Sequence, residues 1–278
     1  MGLVEGLEEA LGCAVLRELD GGHQSRVLEV SHRTGTMIAK AVRADAVDRS
    51  QLRARCEVVT RLAEMGQPVC RPFVVAENWI VEVGGGDDLA HLVVCSELAA
   101  GVEPNVEVGD DAMAMGALLA RLHAAMALLP LTALPTVAAL VASPAAPELE
   151  LSPVQLLHGD FSASNMRRHG ADLTVFDFDD CAYGPPEFDI ANALYMVLFD
   201  AEVHGTPETY QTFRPAFTEG YAAEAGRSPR DATFDALIGA RIRALGMWLD
   251  DLSTAPIGIR DASAEWHEVL RAFVRARS

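Results

Sequence analysis

The chain has 278 residues, half of them hydrophobic, with 22 basic and 40 acidic side chains and a formal charge of −18. That composition suits a packed globular protein of one large domain or two lobes and excludes a disordered chain. Nucleic acid and anionic lipid surfaces both need clustered Lys and Arg, so they are excluded as partners, and a cationic small molecule would be attracted. The later part carries most of the excess: residues 1–100 hold 10 basic against 15 acidic side chains, and residues 101–278 hold 12 against 25, or −13. Acidity that merely keeps a protein soluble accounts for the charge equally well.

In chain order, Ala14–Glu18, Arg26–Ser31 and Thr36–Val42 read as short strands separated by turn residues. A helix is expected from Asp48 to Met65, with Leu52, Cys56, Val59 and Leu62 on one face and Gly66 ending it. Val69–Val75, Trp79–Val83 and Leu92–Leu98 read as further strands, with 84–88 as an exposed turn. The pattern then changes to helix near Asp110, running through Leu118, Leu122 and Met126. Ala124–Pro147 holds no charge over 24 residues, but four prolines interrupt it, so a helix end followed by an apolar insertion is expected and not a membrane span. A loop and a hairpin (165–168 with 173–178) follow, then helices over 187–200, 208–225, 234–252 and 263–275. Five scattered cysteines without a C-x-x-C pair suggest reduced thiols in a cytoplasmic protein, and the acidic N-terminus is unlike a signal peptide.

The segment from Leu157 to Asp180 carries the chemistry. Asp160 stands five residues before Asn165, and Asp177 follows the apolar run Thr174-Val175-Phe176. Phosphoryl transfer from ATP needs one carboxylate to take the acceptor's proton, with an amide and a second carboxylate to hold magnesium on the phosphates. This order matches the protein-kinase catalytic loop, with Gly159 where protein kinases carry Arg. A carboxylate left without a partner at a buried strand end would be costly, which favours a metal role for Asp177. No P-loop pattern is present. The short stretch from Asp180 to Pro186 leaves no room for a protein-kinase activation segment.

His158-Gly-Asp-Phe-Ser-Ala-Ser-Asn165, Phe176-Asp-Phe-Asp-Asp180, Glu187-Phe-Asp-Ile-Ala191 and Arg121-Leu122-His123 together resemble the aminoglycoside phosphotransferase and choline kinase superfamily. The likeness is specific over 157–191 and weaker elsewhere. It implies an α+β, protein-kinase-like bilobal fold: a sheet-rich lobe over 1–98, a helical lobe over 99–278 and an active site in the cleft between them. It implies ATP and Mg²⁺ as cofactors, Asp160 as catalytic base or orienting carboxylate, and Asn165 and Asp177 as magnesium ligands. Asp179, where protein kinases have the glycine of Asp-Phe-Gly, is either a group beside the metal or an acceptor contact. His158 is expected to anchor the loop, and Asp189 to brace it from the following helix.

Lys40 is the only lysine, against 21 arginines, on an expected third strand. A compact ammonium retained among so many guanidiniums fits the lysine that contacts the α- and β-phosphates. The resemblance favours Glu57 over Glu64 as its carboxylate partner. The phosphate-covering loop is expected at 21–26, with Ser25 among its contacts. Adenine is expected to meet the Ser96 carbonyl and the Leu98 N–H. Acceptor contacts are expected from Ser162, Asp179, Asp180, Glu187, Asp250 and Asp251, with Ser164 and Trp248 nearby. Their carboxylates suit an acceptor bearing several amines or guanidines, either a capreomycin- or viomycin-type peptide or an aminoglycoside, as a resistance kinase would phosphorylate. The alternatives are a metabolic kinase for choline, ethanolamine or homoserine and a nucleotide-binding pseudoenzyme. No obligate protein partner is signalled.

Overall fold

The computed structural model describes residues 2–19, 25–33, 35–75, 77–84, 89–130, 133–137, 153–227 and 231–277. They fall into two compact units, Met1–Ala99 and Ala100–Ser278.

The first unit is an antiparallel sheet with two helices. Its strands are β1 (Ala14–Leu19), β2 (Ser25–His32), β3 (Gly35–Arg43), β4 (Ile80–Val83) and β5 (His91–Glu97), in the order β1-β2-β3-β5-β4. Side chains alternate across a strand, so Met37, Ala39 and Ala41 of β3 are buried on one face while Lys40 points to the other. Helix α1 (Leu3–Leu11), which the reading of the sequence did not anticipate, adds Leu7 and Leu11 to the core formed by Leu28, Val30, Ala39 and Val93. Leu3, Leu7 and Leu11 recur every four residues, a signal diluted by three glutamates and Gly6. Helix α2 (Arg49–Glu64) starts where Asp48 accepts the Ser50 and Gln51 N–H groups, and it buries Leu52, Cys56, Val59 and Leu62 as expected.

The strand expected over Val69–Val75 does not form. Pro72, which has no N–H to donate, lies there and limits pairing to isolated bridges, with Phe73 N–H on Cys95 O (2.7 Å) and Glu97 N–H on Arg71 O (3.0 Å).

The second unit holds α3 (Gly109–Met126), β6 (Gln155–Leu157), β7 (Met166–His169), β8 (Asp172–Val175), β9 (Ala182–Gly184), α4 (Glu187–His204), α5 (Pro207–Ala225), α6 (Asp231–Asp250), α7 (Ile257–Arg260) and α8 (Ala264–Arg277). Two small ladders, β6 with β9 and β7 with β8, frame the loop that carries Asp160. Helices α3 and α5 approach through paired glycines. A Cβ on Gly116 would fall on the carbonyl of Phe217, and one on Gly220 on the carbonyl of Met113. Phe161, Phe213, Phe217 and Phe234 are fully buried in this unit. Helix α4 is wrapped by protein, with Asp189 to Tyr195 buried without a break.

Residues 138–147 of the apolar insertion lie outside the described residues, as do 21–24 of the expected phosphate-covering loop and 85–88 of the expected turn. None of the described helices is long and apolar enough to cross a membrane.

Candidate active site

The loop that follows β6 is built on Asp189. Its carboxylate is fully buried on α4, where Oδ2 accepts the His158 N–H (2.8 Å) and Oδ1 the Gly159 N–H (2.9 Å). His123 Nε2 donates to Oδ2 as well (3.1 Å). Burial alone would push the Asp189 pKa up. The hydrogen bond and field of His123, the field of His158 and the Gly159 N–H outweigh it and hold the group below its ordinary value. With Nε2 donating, His123 Nδ1 accepts from Tyr221 Oη (3.0 Å), whose phenol burial pushes up to about 12 and so keeps neutral. Three helices thus converge on the backbone just before Asp160. Asp189 braces the loop as expected, and the partners of His123 are new.

His158 is fully buried and makes two bonds that define its tautomer. Nε2 donates to Phe176 O (3.1 Å), and Nδ1 accepts the Asp160 N–H (3.3 Å). The ring therefore ties the loop to the segment before Asp177, an anchoring role, with Phe178 tilted beside it and Phe161 in a T-shaped contact. Gly159 has φ +87°, and a Cβ there would fall on the carbonyl of Asp180. Only glycine fits this close crossing of two backbones, which is why no arginine stands at the position.

Asp160 is half-buried, and its carboxylate is held at both oxygens. Asn165 Nδ2 donates to Oδ2 (3.0 Å) and to the Asp160 carbonyl (2.9 Å), while Asn192 Nδ2 donates to Oδ1 (3.2 Å). Asn165 lies in a 3₁₀ turn over 163–165, entered by its N–H on Ser162 O (3.2 Å). Because its amide nitrogen faces Asp160, its side-chain oxygen is the end left for a cation. Its carbonyl accepts the Phe176 N–H (3.0 Å), which links it through the backbone to Asp177.

Asp177 differs from expectation. The strand ends at Val175, and Asp177 lies two residues beyond it, exposed, with φ +64°. An exposed carboxylate carries no desolvation penalty, so the cost argument made from a buried strand end does not apply. The left-handed backbone of this aspartate is instead a conformation that non-glycine residues seldom adopt outside tight turns and functional sites.

Among the expected acceptor contacts, Ser162 is buried and shares a hydrogen bond with Ser164 (Oγ to Oγ 2.9 Å). Asp179 is half-buried and Asp180 exposed, both in the turn that crosses Gly159. Glu187 lies half-buried in the first turn of α4, where the helix dipole favours an anion. Asp250 ends α6. Asp251 caps the next short turn, its Oδ1 accepting from Ser253 N–H (3.1 Å) and Oγ (2.6 Å), so that oxygen is occupied locally.

In the first unit Lys40 lies between Val27 of β2 and Val94 of β5. Glu57 is half-buried between Cys56 and Val58 of α2, whereas Glu64 is exposed and pairs with Arg61 (3.5 Å) and Arg71 (3.9 Å). Ser25 opens β2. The expectation for Ser96 needs correction. Cys95 and Glu97 turn their peptide groups to Phe73 and Arg71, so strand alternation turns those of Ser96 toward Ile38. Its carbonyl belongs to the β3–β5 ladder and not to a ligand. Leu98 lies just past the strand, 41% exposed.

Asn192, His123 and Tyr221 are the residues that the reading of the sequence missed as parts of this constellation. The three-residue step from Asp189 to Asn192 was the available signal, since both then face one side of α4.

No curated protein sequence matches the chain. Residues 133–237 match the profile of the family described as the phosphotransferase enzyme family. Three solved structures share the fold. An amicoumacin kinase in complex with AMP-PNP, Ca²⁺ and Ami is 19% identical, with 95% of this chain and 86% of that one covered, at a TM-score of 0.73. A microcompartment-associated aminopropanol kinase is also 19% identical, with 95% and 90% covered and a TM-score of 0.70. An aminoglycoside phosphotransferase from Alicyclobacillus acidocaldarius is 14% identical, with 99% and 91% covered and a TM-score of 0.61. The matched segment contains Asp160, Asn165, Asp177 and Asp189, and the chain shares the kinase-like fold of these three structures.

Proposed function

We propose that the protein transfers the γ-phosphoryl group of magnesium-bound ATP to a hydroxyl of a cationic small molecule, with Asp160 at the point of transfer. The observation that carries this reading is the grip of Asn165 on the Asp160 carboxylate, which holds the acceptor-facing group and the metal-facing amide in one rigid turn. Asp160 receives the hydroxyl proton as the acceptor oxygen bonds to phosphorus and ADP leaves with the broken bond's electron pair. Positioning supplies most of the catalysis, because the transition state is loose and asks little covalent help from the protein.

The donor set suits a hard cation, since Asn165 and Asp177 offer oxygen ligands. Among the described residues no three His, Cys, Asp or Glu side chains form a metal cluster, so the phosphates and water would complete the coordination. When bound, the cation neutralises charge that develops on the β- and γ-phosphates. Lys40 is the proposed contact to the α- and β-phosphates, with Glu57 its proposed partner and the Leu98 N–H a proposed adenine contact.

Charge supports the proposed acceptor class. Glu187, Asp179 and Asp180 border the catalytic loop in the strongly acidic part of the chain, which supports an amine-bearing acceptor such as a capreomycin-type peptide or an aminoglycoside. The likeness to an aminopropanol kinase favours a second reading, a metabolic kinase for a small amino alcohol such as ethanolamine, choline or homoserine. Retention of Asp160, Asn165, Asp177 and Lys40 argues against a pseudoenzyme. The test is ADP release from magnesium–ATP over capreomycin, hygromycin B, aminopropanol, choline and homoserine. Turnover of one acceptor is expected, with an Asp160→Asn variant slower by about 10² or more at unchanged nucleotide affinity. Wild-type turnover by that variant refutes the role.

A further inference from the structure

The amide of Asn192 sits 2% exposed on α4, one helical turn beyond Asp189. Its Nδ2 donates to Asp160 Oδ1 (3.2 Å) and to Phe161 O (3.5 Å), while its Oδ1 is buried without a hydrogen-bond partner. Rotating the amide would press that oxygen against the Asp160 carboxylate, so charge alone assigns the donor end to Asp160. A buried acceptor without a donor destabilises a fold, and an apolar side chain of the same size would avoid it. Asparagine at this site has a stability cost that the donated hydrogen bond explains.

We infer that Asn192 is a positioning residue for phosphoryl transfer. Asn192 from α4 and Asn165 from the 3₁₀ turn each hold one Asp160 oxygen and together fix the plane of the carboxylate toward the acceptor hydroxyl. The inference rests on the role proposed for Asp160. Asn165 alone leaves the carboxylate free to swing about its remaining torsion, and displacements of about 1 Å cost on the order of 10² in rate. Asn192 is carried by a buried helix, and so it supplies a reference that does not move with the loop.

The experiment is a double-mutant cycle on the full chain with Asn192→Leu, Asp160→Asn and the combination. It reads ADP release from magnesium–ATP with water, hygromycin B, capreomycin or aminopropanol as probe acceptor, together with the melting temperature. Asn192→Leu is expected to lower kcat by about tenfold or more, leave KM for ATP within about twofold and leave the melting temperature unchanged or higher. In the Asp160→Asn background the same substitution should cost nothing further. An additive loss, or a loss that tracks a lowered melting temperature, overturns the inference and leaves the Asp160 reading intact. Asp160→Asn turning over at the wild-type rate overturns that reading instead, and no ADP release from any protein overturns both. Should the leucine variant fail to fold, Asn192→Ser, which has a smaller side chain and a weaker reach to Asp160, takes its place in the cycle with the same outcomes.

Discussion

Replacing Asp189 with asparagine is the most discriminating perturbation of this fold. The wild-type carboxylate is fully buried and accepts three donors, the backbone N–H groups of His158 and Gly159 and the Nε2–H of His123. An asparagine keeps the shape but offers only one acceptor oxygen. With that oxygen toward His158 and His123, its NH₂ faces the Gly159 N–H, donor against donor. One buried N–H then loses its partner, at about 1–3 kcal/mol, and the other two bonds drop from charge-assisted to neutral strength, roughly 1 kcal/mol each. The expected loss is about 3–5 kcal/mol, a large share of the 5–15 kcal/mol typical of a folded protein. Chemical unfolding of the purified variant measures it, and kcat should fall as well because the Gly159–Asp160 peptide shifts. A loss below about 0.5 kcal/mol would refute the claim that Asp189 organises the loop.

Acid should act on the same carboxylate. Its folded pKa lies below the unfolded one, so its contribution is present above the ordinary carboxylate range and is lost as pH falls through the lowered value. Stability followed by circular dichroism should therefore decline on acidification, with a shallower decline in Asp189→Asn. Gly159→Ala should cost more than about 1 kcal/mol, because φ is +87° and the new methyl meets the Asp180 carbonyl, and it should depress turnover through displacement of Asp160. Calorimetry should show that Asp177→Asn loses the magnesium dependence of nucleotide binding while the fold is kept, since the side chain is exposed.

Periodicity and spacing suffice for the elements whose stability is local. Helix α2 is legible from Asp48, its apolar face and Gly66, because capping and amphipathic spacing act within one segment. The Asp160, Asn165 and Asp177 pattern is legible for a similar reason, since a 3₁₀ turn and a hairpin hold these residues at fixed short separations. What the linear order does not contain are contacts made across long separations. The pairing of Gly116 with Gly220, the bond from Asn192 to Asp160, the Asp189–His123–Tyr221 linkage and the direction of the Ser96 carbonyl all depend on which surfaces meet after folding. Composition, local propensity and motif spacing thus determined the class of chemistry proposed. Only tertiary packing decided which buried amide holds the Asp160 carboxylate and which imidazole holds that of Asp189, because a hydrogen bond between distant residues leaves no periodic trace along the chain.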